Sequence, residues 1–309
     1  MTISAHRILD HPILTAHQAG VGGNINGPSL IKVPDWMVQP LGRYYLYFGH
    51  HFGDHIRMAY ADDLRGPWRI YEGGVLHLAQ TPLPTERPDV PQPQWAVARG
   101  VDGLYPHIAS PDVHVDAQQH LLIMYLHGLD HDGEQRSLRA TSRDGVKWCV
   151  DLVRIEQTYL RAFRYCDTIY AMGWGGQILK HRTDGGFDLG PWSFGHIGLR
   201  HAGVMVRDSV LHVVWTRIGD APEHILHSTI DLSGDWLNWR AVNATTLMVP
   251  QYGWEGVDVP ISSSEIGGLT VREHALRDPY LFLDDGHVYL AYVGGGETAL
   301  GLAEVSGGF

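Results

Sequence analysis

Residues 276–282 read Leu-Arg-Asp-Pro-Tyr-Leu-Phe and are followed by Asp284-Asp285-Gly286 and a second apolar run at 287–292. An Asp-Gly step between two apolar runs predicts a tight turn, so we expect a β-hairpin here. Its first strand opens on the charged pair Arg277 and Asp278, and Pro279 fixes the backbone behind them. Such an opening is what the edge of a pocket requires, because it aims two charged side chains past the end of a packed strand.

The same unit recurs upstream, which turns one hairpin into an architecture. Five copies are recognisable, at 26–68, 109–148, 159–192, 200–236 and 276–304, and the first four end at or near a Trp. Five antiparallel units of three or four strands predict an all-β, five-bladed β-propeller that occupies 1–309 as a single domain. A β-sandwich would also accommodate short strands and Gly-rich turns, but it gives no reason for a Trp-terminated repeat. The fifth copy shows only three strands, so we expect residues 8–15 to supply its outer strand and close the ring.

Composition limits the classes of function. Hydrophobic residues make up 44% of the chain and charged residues 18%, as in a well-buried globular protein. A net charge of -11 argues against a nucleic-acid partner, which would need a basic surface. The N-terminus has no apolar targeting segment and no window suggests a spanning helix, so we expect a cytoplasmic protein without a membrane partner. Cys149 and Cys166 are too few for a disulfide framework and are interpreted as reduced packing residues.

Two segments do not fit a blade. Residues 81–106 contain six Pro, and residues 251–274 form a second excursion. Both are expected to be ordered loops over one face of the propeller.

Strand direction predicts where functional side chains gather. In an antiparallel blade, the loop that enters the innermost strand and the hairpin between the second and third strands emerge on the same face. Those positions are rich in His, Arg and carboxylates, whereas the opposite turns are ordinary, which favours one pocket on that face. The residues concerned include Asn24, Asn26, Ser110, Asp112, Arg200, His201, Arg277, Asp278, His50, His51, His55, His127, Arg217, Glu223 and Glu297.

Several of these residues also have a purely structural interpretation. Arg277 and Asp278 could be an ion pair that closes the ring, Asp112 could bond backbone groups near the axis, and His201 could be a core imidazole. Trp254 and Glu255 could pack a loop, although an aromatic ring beside a carboxylate also suits a sugar.

Three short motifs carry a family resemblance. The segments at 110–115 (Ser-Pro-Asp-Val-His-Val) and 61–68 (Ala-Asp-Asp-Leu-Arg-Gly-Pro-Trp), together with Arg277-Asp278-Pro279, resemble the five-bladed propeller glycosidases related to glycoside hydrolase family 43 and their invertase and levansucrase cousins. The resemblance implies hydrolysis of glycosidic bonds, with carboxylates set around an axial funnel.

The chain departs from that family at each expected acid. Gly27 stands where the first blade would carry Asp, Arg161 and Arg164 open the third blade, and Arg200-His201 occupies the place of the acid Glu in the fourth. The usual acidic triad is therefore not retained. A related propeller family that acts on anhydro-galactose sugars is similar in using a His as acid, and this resemblance assigns that role to His201.

The leading hypothesis is a glycoside hydrolase or related carbohydrate-active enzyme, with an acidic or modified oligosaccharide as its small-molecule substrate. Asp112 or Asp278 would act as base or nucleophile, and His201 or Glu255 as acid. Arg and His would orient the substrate or neutralise its charge. The predicted substrate-binding residues are Asn26, His50, His51, Arg164, Arg200, Arg217, Trp254, Arg277 and Glu297.

Two alternatives come from other classes. His50, His51 and His55 surround one turn and could hold a divalent metal ion, the only cofactor that the sequence suggests, for lyase or isomerase chemistry. Loss of the acidic triad instead favours a sugar-binding propeller without catalytic activity.

Overall fold

The computed structural model describes residues 3–269 and 271–308 and contains five antiparallel sheets arranged as a five-bladed β-propeller. The chain begins with two short strands, β1 (Ser4–Arg7) and β2 (Leu14–Thr15). Blade 1 follows, with β3 (Asn26–Lys32), β4 (Tyr44–Gly49), β5 (His55–Ala61), β6 (Arg69–Ile70) and β7 (Leu76–His77). Blade 2 contains β8 (Ile108–Asp116), β9 (Leu121–Leu129), β10 (Gln135–Ser142) and β11 (Cys149–Val150). The predicted fold class is confirmed.

The remaining three blades repeat the same order. Blade 3 contains β12 (Arg161–Tyr165), β13 (Thr168–Met172), β14 (Gln177–His181) and β15 (Phe187–Trp192). Blade 4 contains β16 (Leu199–Arg207), β17 (Val210–Arg217), β18 (Ile225–Asp231) and β19 (Ala241–Met248). Blade 5 contains β20 (Leu276–Asp284), β21 (His287–Gly294) and β22 (Ala299–Ser306), and β1 and β2 pair with β22.

The hydrophobic core is divided into five clusters, one between each pair of neighbouring blades. Strand β4 shows how the sequence produces this arrangement. Tyr44, Leu46 and Phe48 pack toward blade 5, while the alternate residues Tyr45 and Tyr47 pack toward blade 2. Successive side chains of a strand point to opposite faces, so a strand covered on both faces needs a continuous apolar run. The apolar middle strands therefore position the blades around the axis.

Closure of the ring begins earlier in the chain than the sequence suggested. Strand β1 runs antiparallel to β22, with Ser4 opposite Ser306 and Arg7 opposite Ala303. Of the expected segment 8–15, only Leu14–Thr15 forms a strand, and it pairs farther along β22. Two short strands thus replace the expected single strand, and the segment between them contains Pro12, which has no N–H for a ladder bond.

The two long loops contain short helices. The first carries a 3₁₀ turn, Leu78–Gln80, and the helix α1, Gln94–Arg99, while the second carries the 3₁₀ turn Gly253–Glu255. No helix among the described residues has the length and apolar character needed to cross a membrane.

The interpretation of both cysteines as packing residues is wrong. Cys149 and Cys166 are free thiols and both are exposed. Cys149 lies on the short edge strand β11, and Cys166 lies in the turn between β12 and β13, where its φ is 45°. The small number of cysteines argued against a disulfide framework, but it was no guide to whether the two thiols are buried.

Candidate active site

Strands β3, β8, β12, β16 and β20 line the axis, and we call the end where they begin the upper end of the channel. Three of these strands share an unusual backbone step before a Pro. Gly27, Ser110 and Asp278 have φ values of 52°, 50° and 48°, and each lies within a β-bulge of its strand. They are therefore equivalent positions in blades 1, 2 and 5, and Asp278 is the one that carries a carboxylate.

Asp278 contacts both blades that neighbour blade 5 in the ring. Its Oδ2 accepts a hydrogen bond from the Gly27 backbone N–H at 3.2 Å, and its Oδ1 contacts Nδ1 of His201 on blade 4. A side chain at position 27 would collide with blade 2, because a Cβ there would lie 2.6 Å from the Cα of Ser110. The carboxylate that is absent from the first blade is thus replaced by one from the fifth.

A row of aromatic and imidazole rings surrounds the Asp278–His201 pair. The Tyr159 ring lies 4.5 Å from that of His201 and 4.1 Å from that of His127. His107 continues the row at 5.8 Å from His127, and Tyr105 lies 4.7 Å beyond it. Asp278 and His201 are buried at 0% and 6% exposure, while Tyr159 and Tyr105 are only partly buried. The upper end therefore presents tyrosine faces around a buried imidazole–carboxylate pair.

Sequence reasoning missed Tyr159, Tyr105 and His107. Tyr159 directly precedes Leu160 and β12, so the rule that located Ser110 and Asp278 could have found it. Tyr105 and His107 lie in the Pro-rich loop that enters β8, whose path over the channel had no signal in the sequence.

The backbone is strained at this end. Ser110, Tyr159, Asp278 and Glu297 are non-glycine residues with φ between 48° and 69°, in the left-handed region. L-residues adopt this conformation at a cost, and such residues concentrate at functional sites where the surroundings enforce them. Positive φ at Asp208 and Asp285 falls in hairpin turns, where it is ordinary.

The environment sets the protonation of two groups in opposite directions. Burial lowers the pKa of His201 well below its usual value, and the nearby charge of Arg200 lowers it further. Burial raises the pKa of Tyr159, so its phenol keeps its proton. At neutral pH the imidazole of His201 is consequently uncharged and the neighbouring phenol of Tyr159 is protonated. Nδ1 of His201 contacts Asp278. Nε2 is the ring nitrogen left for a substrate.

Arg200 and Arg277 are held by carboxylates of the protein itself. Glu223 bridges them, with 2.8 Å to Arg200 Nε and 3.1 Å to Arg277 Nε. Arg277 also contacts Glu273 at 2.8 Å and Glu297 at 3.5 Å, and the Glu297 carboxylate accepts from Asn24 at 2.6 Å. The charged groups of Arg200, Arg277 and Glu297 are thus already bonded to other residues of the protein. Their role is to hold the structure around His201, and they do not present free charges to a substrate.

The three histidines expected around one turn have separate surroundings. His51 Nδ1 accepts from Asn26 at 3.3 Å, His50 Nδ1 accepts from the Phe52 N–H at 3.0 Å, and His55 bonds Asp54 and stacks on His77. Within residues 3–269 and 271–308, no three His, Cys, Asp or Glu side chains are grouped to hold a metal ion.

Glu255, Trp254 and Arg217 lie among protein contacts of their own. Glu255 is fully buried and accepts from Arg7 Nε at 2.6 Å and from the Tyr292 hydroxyl at 2.8 Å. Trp254 donates to the Asp10 carbonyl, and Arg217 pairs with Asp220 at 2.8 Å. The first two thus tie the second long loop to the ring closure and are not brought to His201.

Asp112 is directed away from the Asp278–His201 pair. It lies two residues beyond Ser110, on the far side of Arg161, and it lines a cavity at the lower end of the channel with His114 and Arg164. Its Oδ2 contacts His114 Nε2 at 2.7 Å and accepts from the Ala162 N–H at 2.7 Å. The expected convergence of Asp112, His201 and Asp278 is therefore limited to His201 and Asp278.

One curated sequence is closely related to this chain. It is the uncharacterized protein R118 of Acanthamoeba polyphaga mimivirus, 32% identical over 304 residues, which cover 90% of this chain and 82% of the viral protein. The chain belongs to the same family as this mimivirus protein. No family model matches the sequence.

Solved structures share the fold of this mimivirus-protein family. CoXyl43, a family 43 β-xylosidase/α-arabinofuranosidase from a compost metagenome, aligns with a TM-score of 0.61 at 14% identity and covers 98% of this chain and 94% of its own. The GH43_1 enzyme of Xanthomonas citri, solved with xylotriose, gives 0.61 at 13% identity over 97% and 90%. The α-L-arabinofuranosidase of Lactobacillus brevis gives 0.57 at 11% identity over 94% of both chains. The suspected resemblance to the propeller of family 43 is confirmed at the level of the fold.

Proposed function

We propose that this protein is a carbohydrate-active enzyme that cleaves glycosidic bonds of an oligosaccharide at the upper end of the axial channel. The contact between His201 Nδ1 and Asp278 Oδ1, beside the ring of Tyr159, carries the proposal. Support comes from the strained backbone at Tyr159 and Asp278 and from a fold whose solved relatives include a xylosidase and an enzyme solved with xylotriose. The partly exposed faces of Tyr105 and Tyr159 would pack against the sugar rings.

The pKa directions assign the roles within this site. Two titratable groups whose environments shift their pKa values in opposite directions are the usual sign of an acid and a base. Neutral His201, oriented by Asp278, would accept a proton from water at Nε2 as the water oxygen bonds to the anomeric carbon. Tyr159 would donate its proton to the leaving oxygen as the glycosidic C–O bond breaks. Return of the proton from His201 to the phenolate restores the starting state.

This assignment reverses the role that the family resemblance gave to His201. A general acid must be protonated at working pH, whereas burial, followed by the charge of Arg200, lowers the pKa of His201. Asp278 orients the imidazole instead of attacking the sugar, because its two oxygens already contact His201 and Gly27.

One observation favours a second reaction class on the same residues. Asp278 and His201 touch and work as one unit, whereas hydrolases with two independent carboxylates hold them several ångströms apart. A single base beside a phenol also suits β-elimination from a uronic acid residue. In that reaction His201 would remove the proton next to the carboxylate, and Tyr159 would protonate the oxygen that leaves as the C=C bond forms.

An activity screen tests the proposal and separates the two reactions. The purified protein is incubated with aryl glycosides and with neutral and uronate-containing oligosaccharides, and products are followed as reducing ends and as the ultraviolet absorbance of a new C=C bond. Hydrolysis gives the first signal alone, and elimination gives both. We expect His201→Ala, Asp278→Asn and Tyr159→Phe each to lower kcat by roughly a hundredfold or more.

The pH profile and two controls complete the test. Because neutral His201 is the active form, activity should already be on its plateau at pH 6.5 and fall as acid protonates the imidazole. His131→Ala and Asp285→Asn change the same residue types at exposed positions and should leave the rate unchanged. If a glycan binds and stays intact through long incubation, the protein is a sugar-binding propeller and not an enzyme. Full activity of His201→Ala would refute the proposed site.

A further inference from the structure

The lower end of the axial channel contains a cavity of about 390 Å³ that all five inner strands line. Arg161 lies between this cavity and the His201–Asp278 site. A second cavity of about 420 Å³ lies beside it, between blades 2 and 3, and shares its wall with the first. The shared residues are His114, Val115, Ala162, Phe163 and Arg164. Volumes of this size accommodate small organic ligands.

The charge of the first cavity is opposite to that of the protein. The chain has 34 acidic and 23 basic residues, yet this cavity is lined by Lys32, Arg161 and Arg164 against one carboxylate, Asp112. A cleft of one sign between low-dielectric walls concentrates ions of the other sign. The cavity is therefore suited to an anion.

The three basic side chains of the first cavity differ in how many hydrogen bonds and ion pairs they already form within the protein. Arg161 donates to backbone carbonyls and lies 3.5 Å from the Asp112 carboxylate, and Lys32 is paired with Asp284 at 2.6 Å and Asp285 at 2.9 Å. Arg164 is exposed, and its one hydrogen bond is a long one of 3.4 Å to the Asp167 carbonyl. No carboxylate in the described part of the chain forms an ion pair with it. Arg164, at the junction of both cavities, has a free guanidinium to offer.

We propose that these joined cavities bind a small anionic sugar, with its carboxylate or phosphate on Arg164 and its body along the apolar wall. Phe163 and Val204 supply that wall, and His114 stands across from it with one nitrogen held by Asp112. The second cavity adds two carboxylates, Asp116 and Asp167, together with Gln118, so the anionic end of the ligand lies in the first cavity and its neutral hydroxyl groups face the second. A planar guanidinium binds carboxylate and phosphate through paired hydrogen bonds, which fixes the anionic end of the ligand.

Titration calorimetry at low salt tests the site, with glucuronate and glucose 6-phosphate as probes and methyl glucoside as their neutral match. We expect at least one of the anionic probes to bind and the neutral sugar not to bind. Arg164→Ala should lower the affinity for that anionic probe by roughly tenfold or more. Arg164→Lys keeps the positive charge but loses the paired N–H donors of the guanidinium, so it should retain part of the affinity. Arg143→Ala removes another exposed arginine and serves as the matched control.

The outcomes separate this site from the upper one. Loss of anion binding in Arg164→Ala but not in Arg143→Ala supports the proposal, whatever the activity screen finds at His201. Equal binding to wild type and Arg164→Ala, equal binding of methyl glucoside, or no binding of either anion at millimolar concentration would overturn it. Val204→Phe gives a second readout, since a ring in the cavity should exclude the probe while Arg164 is intact.

Discussion

Gly27 shows how one missing side chain shapes the candidate site. Its backbone N–H bonds Asp278 while its Cα faces Ser110, so the first, second and fifth blades meet at this residue. An Asp at this position, as the family resemblance expected, would have no room beside Ser110. In this protein the carboxylate next to Gly27 comes from Asp278 of blade 5.

Gly27→Ala should destabilise the protein through both strain and collision. With φ at 52° and a Cβ 2.6 Å from the Ser110 Cα, we expect a loss of about 2–4 kcal/mol in the free energy of unfolding. Gly23→Ala is the matched control, because Gly23 also has positive φ (94°) but a Cβ there meets nothing within 4 Å. It should cost about 1 kcal/mol. Equal losses in urea titrations of the two variants would show that the close approach to Ser110 contributes nothing.

The residues of the site differ in how far the sequence could locate them. Asp278 and His201 were predictable, because the opening of an inner strand faces the upper end in every blade. Asp112 was misplaced since it follows a bulge between Ala109 and the residues after it, and the alternation of side chains then directs it to the lower cavity. The partners of Arg277 come from three separate loops, at Glu223, Glu273 and Glu297, and the sequence has no pattern that predicts these contacts.

At the scale of elements, the sequence predicted the blades but not which residues close the ring. Repeated strand–turn–strand units specify how many sheets form, since each is encoded locally. The strand that closes the ring is specified by a contact 248 residues away along the chain, where Arg7 of β1 meets Glu255 of the second long loop. The sequence could suggest that closure occurs but not which N-terminal residues perform it.

Glu255 is expected to stabilise the closure and not to take part in chemistry. It is fully buried and accepts from Arg7, Tyr292 and two backbone N–H groups, so Glu255→Gln keeps the shape but leaves the Arg7 charge unmatched. We expect a loss of about 3 kcal/mol in unfolding free energy, with kcat nearly unchanged below the transition. Glu304→Gln alters a partly buried carboxylate on β22 that contacts the exposed His287, and it should cost less than about 1 kcal/mol. A large fall in kcat for Glu255→Gln at full stability would assign it to the active site.

At the scale of the whole molecule, one side chain joins all five blades. Arg161 of blade 3 donates to the carbonyls of Pro28 in blade 1, Pro111 in blade 2 and Ala202 in blade 4, at 3.3, 2.8 and 3.0 Å. Its guanidinium also lies 5.1 Å from the ring centroid of Tyr280 in blade 5. Arg161 thus divides the channel into the two ends discussed above and fixes the inner strands relative to one another.

Arg161→Met should therefore be among the most destabilising single changes, because it leaves three buried carbonyls and the Asp112 carboxylate without their cation. We expect about 3–5 kcal/mol from urea titration, and a smaller loss for Arg161→Lys, since one ammonium cannot reach carbonyls in three directions. Arg164→Met removes an exposed arginine from the same strand and controls for the loss of charge. Since the apolar clusters between neighbouring blades remain in Arg161→Met, the weakened ring should still unfold in a single step, with fluorescence and circular dichroism transitions that coincide. A stability of Arg161→Met equal to that of Arg164→Met would show that the ring is held together by the interfaces between blades alone.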